Sequence, residues 1–172
     1  MKIMVIEENW ILKDTRPEDL DRILEIEGKE ENLAYVYNWT RKQHKETMED
    51  EDQKHLSLWD PKEERIMGYM ILAGMKSPHQ ALELMRITID EKGQGYGREA
   101  TRWVIHFCFD TLGYHRLWLD VFTDNHKAIG LYRDLGFTEE GTLRDCKKYG
   151  DRYRSMKLFS MLEGEYNKDA NR

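Results

Sequence analysis

The stretch that decides the fold is Lys92-Gly93-Gln94-Gly95-Tyr96-Gly97. It follows a predicted strand from Leu82 to Ile89 and precedes a run, Ala100 to Cys108, whose apolar residues repeat at helical spacing. Glycines let the backbone approach a ligand closely, and the amide N–H groups at the start of a helix point toward a bound anion. A strand, a glycine-rich loop and a helix in this order therefore predict a phosphate-binding loop.

The ligand of this loop has to be chosen among several classes. A Walker loop is excluded because no Gly-Lys-Ser or Gly-Lys-Thr follows a glycine at the required spacing. Gly95-Tyr96-Gly97-Arg98-Glu99-Ala100 satisfies the dinucleotide fingerprint G-x-G-x-x-A, with Asp120 as the ribose-binding acid. That fingerprint normally opens its domain, whereas here a long segment precedes it and only one short helix and a hairpin follow Asp120. A tight turn with no ligand is the purely structural alternative.

A second motif follows the next predicted strand. It reads Asn125-His126-Lys127-Ala128-Ile129-Gly130-Leu131-Tyr132-Arg133-Asp134-Leu135-Gly136-Phe137. With both motifs at this separation, the sequence resembles the GNAT superfamily of N-acetyltransferases over nearly the whole chain. Lys92 stands where that family has Arg or Gln, which keeps a positive charge but loses the forked guanidinium of an arginine. The segment Glu140-Gly141-Thr142-Leu143-Arg144-Asp145 resembles the branch that contains the ribosomal-protein and small-amine acetyltransferases.

The resemblance implies the GNAT acyl-CoA N-acyltransferase fold. This is an α+β fold of α/β-like layout, with a mixed, twisted sheet of about seven strands and helices on both faces. The first strand is expected within residues 3–12. The strands around residues 84 and 118 should be parallel neighbours, because a helix connects them. Residues 1–164 are expected to form a single N-acetyltransferase domain, and residues 165–172 a frayed tail.

Two helix starts can be placed from capping residues. Thr15 is predicted to cap the first helix, with Pro17 in the first turn and Glu18 closing a capping box. A second helix is predicted to begin at Thr40, with Gln43 three residues on.

The resemblance also implies acetyl-CoA as the cosubstrate. The backbone of Ile87, Thr88 and Ile89 is expected to pair with the pantetheine arm as an added strand would. Asn125 is expected to bond that arm, and Lys127 to reach the 3′-phosphate. The pyrophosphate is assigned to the loop and the start of the following helix. The expected cofactor-binding set is completed by Lys92, Gly93, Gln94, Gly95, Tyr96, Gly97, Arg98, Ala128 and Tyr132.

Two residues are predicted to take part in catalysis. Tyr132 matches the phenol that the family places near the sulfur as general acid, although an aromatic on an amphipathic helix also fits a core. Glu83 lies where the family sometimes puts the carboxylate that accepts the amine proton; a water chain or a purely exposed strand-start acid are the alternatives. No His-Glu-x-x-His motif and no cysteine pair at ligand spacing occur, so no metal site is expected.

The charge balance and the cysteine content exclude several classes of protein. The chain of 172 residues has 27 Lys and Arg against 33 Asp and Glu, a net charge of −6, which argues against a nucleic-acid partner. No apolar run is long enough to span a membrane. Two cysteines make no disulfide framework. We expect a cytoplasmic protein with reduced thiols and no membrane partner.

The predicted function is transfer of an acetyl group from acetyl-CoA to a primary amine by direct attack in a ternary complex. The acceptor classes left open are polyamines, other small-molecule amines and protein N-termini. A non-catalytic coenzyme A-binding sensor or partner-binding module on the same fold is the alternative. The resemblance places the acceptor near the first two helices and the last hairpin. Tyr35, Tyr37 and Trp39, near the second helix, are candidate pocket aromatics, with core packing as the alternative. A homodimer is expected, with Trp59, Tyr149 and Tyr153 as exposed interface aromatics.

Overall fold

The computed structural model describes residues 1–90 and 92–166. The chain divides into two compact units. The first unit comprises Met1–Lys76 and Leu84–Gly97, and the second comprises Ser77–Glu83 and the chain from Arg98 onward. The strands form one mixed sheet in the order β1-β2-β3-β4-β5-β6-β8-β7.

The strands and helices have the following bounds. The strands are β1 Met4–Ile6, β2 Ile11–Asp14, β3 Gln53–Asp60, β4 Arg65–Ala73, β5 Ala81–Ile89, β6 Arg116–Phe122, β7 Thr138–Tyr149 and β8 Arg152–Leu162. The α-helices are α1 Leu20–Glu27, α2 Glu30–Leu33, α3 Arg41–Glu49, α4 Tyr96–His106 and α5 His126–Asp134. A π-helical segment, Phe107–Thr111, continues α4, and short 3-10 turns cover Pro17–Asp19 and Glu163–Glu165.

The sheet has eight strands rather than the seven expected, because the N-terminal strand is in fact two. β1 and β2 pair antiparallel, with Ile6 opposite Ile11. The turn between them is closed by a hydrogen bond from the Glu7 amide to the Trp10 carbonyl, at 2.9 Å. The polar residues Glu7, Glu8 and Asn9 fall within this turn, where their side chains stay exposed.

One predicted helix cap is confirmed and one is wrong. Thr40 caps α3 and forms the capping box with Gln43 as predicted. At the 3-10 turn before α1, however, the cap is Arg16, whose amide donates to the Asp19 carboxylate at 2.8 Å, so Asp19 and not Glu18 closes the capping box. Thr15 does not cap, because its hydroxyl is engaged in the interior with Ser57, 2.7 Å away.

The core of the first unit lies between helices and the β3–β4 pair. α1 packs against β4 and α3 against β3. The buried cluster here consists of Leu20, Ile23, Ile26, Ile66, Tyr69 and Ile71. Trp59 packs against this cluster and is half-buried, with the Lys13 ammonium 3.6 Å from its ring centre, so the expectation that Trp59 is exposed was wrong.

In the second unit, β6 has a parallel neighbour on one side and an antiparallel one on the other. The first three residues of β5, Ala81–Glu83, pair in parallel with Arg116–Trp118, which confirms the predicted parallel arrangement. β8 pairs with the whole length of β6 through residues Met156–Leu162, and β7 pairs with β8 as the outer strand. Of the predicted tail, Glu165 ends a 3-10 turn and the Tyr166 hydroxyl donates to Asp110 at 2.6 Å; residues 167–172 lie outside the described residues.

Within residues 1–90 and 92–166, no helix is long and apolar enough to cross a membrane. The same residues contain no group of three or more His, Cys, Asp or Glu side chains placed to hold a metal ion.

Candidate active site

A pair of carboxylates, Glu83 and Asp120, marks the candidate site in the second unit. Glu83 pairs with Trp118 across the parallel β5–β6 ladder. Asp120 lies two residues beyond Trp118, and because side chains alternate along a strand, it shares the face of Trp118. Both carboxylates are half-buried. Two acids on one face of adjacent strands are a common arrangement for proton transfer or for binding a cation.

The surroundings of Glu83 change its proton affinity. Burial raises the pKa of Glu83 to about 7, the negative charge of Asp120 adds to the effect, and the ammonium of Lys147 opposes it. Burial also raises the pKa of Asp120, again against the opposing charge of Lys147. A carboxyl with a pKa near neutrality exchanges protons at physiological pH, which is what a general base requires.

Lys147 reaches these carboxylates from β7. Leu143 pairs with Met156 and Lys147 with Arg154, so β7 carries extra residues between these two positions. This bulge is held by a hydrogen bond from the Asp145 amide to the Ser155 hydroxyl, at 2.9 Å, with Asp145 at a positive φ of 47°. The bulge thus determines which residue of β8 lies opposite Lys147.

Tyr132 lies on α5, a helix capped by Asn125. Its ring packs against Phe137 and Phe159, at centre distances of 5.8 and 6.2 Å, and only 6% of the residue is exposed. Burial, with a contribution from the charge of Asp120, raises the pKa of Tyr132 to about 12. The phenol is therefore protonated throughout the physiological range and sits where the Asp120 charge acts on it. Burial is expected of a packing residue, and it also keeps the phenol protonated, as a proton donor has to be.

The predicted phosphate-binding loop belongs to the first unit. Gly93 and Gly95 have positive φ values of 81° and 85°, which side chains rarely adopt, and a Cβ at either would meet open space. Residues 92–95 of the loop are exposed and Tyr96 and Gly97 are half-buried, so a ligand can approach the loop just before α4. Gly97 is different: its φ is not positive and a Cβ there would make an ordinary contact of 3.8 Å with Ile89. A side chain at Gly97 would therefore not strain the turn.

Several other predicted cofactor residues have protein partners. The Lys92 ammonium donates to the Asn32 amide oxygen at 2.6 Å, and the Arg98 guanidinium donates to Asp134 at 2.9 Å. The Asn125 side-chain oxygen accepts from the Ala128 amide at 3.2 Å, which leaves its NH₂ group as the donor for a ligand. Lys127 is exposed.

The end of β5 offers one orphaned polar atom. The Thr88 hydroxyl oxygen is buried and has no hydrogen-bond partner among the described residues. Ile87 is half-buried and Ile89 is buried beside it. Together with the glycine loop of the same unit, this partly apolar set fits an acyl-CoA, which has an anionic end and a thioester arm that accepts hydrogen bonds.

Sequence reasoning missed two members of the carboxylate site. Asp120 was considered only as a ribose-binding acid, and Lys147 only as a neighbour of Cys146. The signal for Asp120 was available: Leu117, Leu119 and Val121 mark the core face of β6, so Asp120 had to lie on the opposite face. No sequence signal located Lys147, because its register depends on the bulge in β7.

Comparison with known proteins agrees with the predicted class. The sequence profile described as "Acetyltransferase (GNAT) family" matches residues 20–137. The chain belongs to the GNAT family of acetyltransferases, which confirms the resemblance stated above.

Among curated relatives, two are spermidine N(1)-acetyltransferases. That of Vibrio cholerae serotype O1 is 29% identical over 105 residues, 60% of this chain and 61% of the relative. That of Escherichia coli K12 is 24% identical over 164 residues, 90% of this chain and 87% of the relative. An uncharacterized N-acetyltransferase, p20, of Bacillus licheniformis is 35% identical over 74 residues, 43% of this chain and 42% of the relative. The matched region thus spans less than two thirds of two of these proteins.

Solved structures show the same fold. The spermidine N-acetyltransferase of Vibrio cholerae in complex with CoA and spermine superposes with a TM-score of 0.81 at 21% identity, covering 92% of this chain and 98% of that one. A further crystal structure of an acetyltransferase gives a TM-score of 0.83 at 17% identity, covering 98% and 90%. The predicted GNAT fold is confirmed, with eight strands.

Proposed function

We propose that this protein transfers an acetyl group from acetyl-CoA to a primary amine of a polyamine. The observation that carries the proposal is the Glu83–Asp120 pair, with Glu83 titrating near neutrality, in a chain of the GNAT family. Polyamines are favoured because the two spermidine N(1)-acetyltransferases named above are relatives.

The acceptor amine has to lose a proton before it can attack. A primary amine is mostly protonated near pH 7, since lysine's reference pKa is about 10.4. Two carboxylates on one face attract such a cation, and Glu83 accepts its proton once the amine is bound. Asp120 stays near the cation and raises the proton affinity of Glu83. Glu83 is the base and Asp120 the charge that tunes it.

The transfer then needs a proton donor for the leaving group. The neutral amine nitrogen attacks the thioester carbonyl carbon, the carbon–sulfur bond breaks, and the coenzyme A thiolate takes a proton from the Tyr132 hydroxyl. The former amine nitrogen, positively charged after the attack, loses its extra proton, which returns to the Tyr132 phenolate and leaves a neutral amide. Because the pKa of Tyr132 is raised to about 12, the phenol is protonated when the thiolate leaves and can donate to it.

We assign acetyl-CoA binding to the residues expected from the sequence. The amides of the Gly93–Gly97 loop would hold the pyrophosphate, and the backbone of Ile87–Ile89 with the Thr88 hydroxyl would bond the pantetheine arm. Lys127 and the Asn125 amide are further donors. Lys92 donates a hydrogen bond to Asn32 and Arg98 donates one to Asp134, so each can bind a phosphate only by sharing or giving up that hydrogen bond.

The test is acetyl transfer measured by thiol release, with spermidine, spermine, a peptide bearing a free N-terminus and a simple alkyl amine as acceptors. The expected result is turnover with the polyamines, and loss of about 10²-fold or more in kcat for Glu83→Gln. Glu163→Gln, an exposed glutamate outside the site, is the matched control. Tight CoA binding without transfer to any amine would overturn the proposal in favour of a non-catalytic CoA-binding module.

We also propose that the chain acts as a single N-acetyltransferase domain, as a homodimer and in the cytoplasm. Every residue of the outer strand β7 is exposed, including Leu143 and Tyr149, and Tyr153 on β8 is 59% exposed. These apolar side chains on one hairpin would suit a second copy of the chain. The exposed free Cys146 suits a reducing compartment. Sedimentation at micromolar concentration tests the dimer, which a purely monomeric profile would overturn.

A further inference from the structure

A buried carboxylate, Glu27, lies in the first unit away from the residues assigned above. It is the last residue of α1 and has no exposed surface. One carboxylate oxygen accepts hydrogen bonds from the Tyr69 hydroxyl and from the Arg86 guanidinium, the latter at 2.9 Å. The other accepts from the backbone amide of Trp39 at 3.2 Å. Glu27 therefore joins α1 to β4, to β5 and to the chain between α2 and α3.

Arg86 on β5 is the cation of this pair, and its side chain is only 9% exposed. Besides Glu27, it donates to the Tyr69 hydroxyl at 3.1 Å and to the carbonyl oxygen of Tyr37. Its guanidinium carbon also lies 4.4 Å from the centre of the Trp39 ring. A planar guanidinium with donors on several edges can make all these contacts at once, which a lysine ammonium cannot.

Both members of the pair are charged. Burial alone would raise the pKa of Glu27, but hydrogen bonds from His44 and Tyr69 and the charge of Arg86 outweigh burial and lower it. Burial raises the pKa of Tyr69, which keeps that phenol neutral. The ionised Glu27 thus cancels the charge of Arg86 inside the first unit.

Two histidines extend this network toward β3. The His44 ring lies 3.2 Å from Glu27 and 2.9 Å from the ring of His55. His55 in turn contacts the Thr15 hydroxyl at 2.9 Å. Burial, with the charges of His44 and Arg86, lowers the pKa of His55 to about 3, so His55 is neutral. Glu27, His44, His55 and Thr15 thus form a continuous buried polar chain beside the ion pair.

The segment that Glu27 and Arg86 hold has no regular structure of its own. Residues 34–40 connect α2 to α3 without helix or strand. In such a segment, backbone groups cut off from water need partners from elsewhere. The ion pair bonds two of them, the carbonyl of Tyr37 and the amide of Trp39, and also covers one face of the Trp39 ring.

We propose that Glu27 and Arg86 are a positioning pair for the acceptor, because they fix the segment that carries Tyr35, Tyr37 and Trp39; this inference rests on the proposed function. A buried ion pair is an inefficient way to stabilise a fold, since desolvation offsets most of the attraction. What this pair does, and two apolar residues could not, is to hold two backbone atoms and one indole ring.

The chemistry of the held segment suits a polyamine. Aromatic rings attract ammonium groups through their faces and pack against methylene chains. An uncompensated Arg86 beside Trp39 would repel such a cation, so neutralisation by Glu27 is as important as the geometry. Arg86 also lies three residues after Glu83 on the same strand, so β5 carries both the proposed base and the anchor of the segment.

The test separates positioning from folding by steady-state kinetics. Arg86→Lys keeps the charge that balances Glu27 but loses the forked contacts. We expect the KM for spermidine to rise about 10-fold or more, while kcat and the KM for acetyl-CoA stay within about 2-fold. Arg41→Lys, in the exposed ion pair with Asp21, is the matched control and should leave the KM for spermidine unchanged. If Arg86→Lys does not fold, Glu27→Gln replaces it, with the same measurements of kcat and of the KM for each substrate.

The outcomes are distinguishable. A wild-type protein that transfers no acetyl group to any amine overturns this inference together with the proposed function. A wild-type protein that acetylates spermidine, with variants whose melting temperature falls while the KM for spermidine is unchanged, overturns this inference alone. Equal increases in KM for both substrates would also overturn it.

Discussion

The carboxylate of Asp120 on β6 raises the pKa of Glu83 on β5, adding to the effect of burial. The two residues are carried by neighbouring parallel strands whose paired residues include Glu83 and Trp118, two positions before Asp120. Because one acid makes the other a better proton acceptor near pH 7, the proposed mechanism assigns Glu83 the part of the base and Asp120 that of a fixed charge.

The pH dependence of kcat/KM is the most direct consequence. An acid limb is expected near pH 7, because Glu83 must be ionised to accept a proton. Asp120→Asn removes a negative charge and should move this limb to lower pH. Lys147→Met removes a positive charge and should move it to higher pH. Initial rates across the pH range test this, and shifts in the same direction for both variants would contradict it.

Stability should depend on pH through the same group. Glu83 has a pKa of about 7 in the folded protein against an ordinary value of 4.5, so the folded state binds its proton more tightly. Stability is then highest below pH 4.5 with respect to this group, and it falls as the pH rises through 7. Glu83→Gln has no ionisable group at this position, so its stability should not fall in this way. Urea unfolding should show that the free energy of unfolding of the variant increases relative to that of the wild type as the pH rises between these values. A difference between the two proteins that does not change with pH would contradict the prediction.

The role of Tyr132 can be decided by a pair of variants. Tyr132→Phe keeps the ring that packs on Phe137 and Phe159 but removes the hydroxyl proton. If Tyr132 is a proton donor, Tyr132→Phe should lose about 10²-fold or more in kcat with little change in melting temperature. If Tyr132 is only a packing residue, the turnover of Tyr132→Phe should stay within about twofold of the wild type. Tyr132→Ala should cost about 3–5 kcal/mol of stability in either case.

The glycine loop can be tested at Gly97 without disturbing the fold. Its backbone is not in the left-handed region, and a Cβ there meets only an ordinary contact with Ile89. Gly97→Val should therefore leave circular dichroism near wild type while abolishing acetyl-CoA binding in calorimetry, since the added side chain blocks a phosphate from the amides. Gly164→Ala, where a Cβ meets open space, is the control. Unchanged affinity in Gly97→Val would remove the loop from the binding site.

Local patterns were enough to predict much of the fold. The loop glycines, the parallel β5–β6 pair and the Thr40 cap are each set by residues within a short stretch, and the structure confirms the pairing and the cap. The prediction of a single N-terminal strand was wrong because the turn that divides it contains no glycine or proline. That turn is closed by a hydrogen bond between the backbones of Glu7 and Trp10.

The candidate site and the buried polar network around Glu27 were less accessible to sequence reasoning, because both depend on side chains that are distant in the chain. The Glu27–Arg86 pair joins residues far apart in the chain, and neither lies in a motif. Thr15 looked like a helix cap until its partners, Ser57 and His55, were known. Local rules describe what a residue can do, whereas burial and remote partners select one of those options.

The bulge in β7 also determines how the hairpin can change in length. Between Leu143, opposite Met156, and Lys147, opposite Arg154, β7 has three residues where β8 has one. The excess of two is even, so the alternation of faces resumes in phase beyond it. Insertions or deletions of two residues there would move Lys147 along the strand and keep its face, whereas a change of one would turn it away. The distance between this ammonium and the two carboxylates is therefore adjustable by evolution or design, but only in steps of two residues.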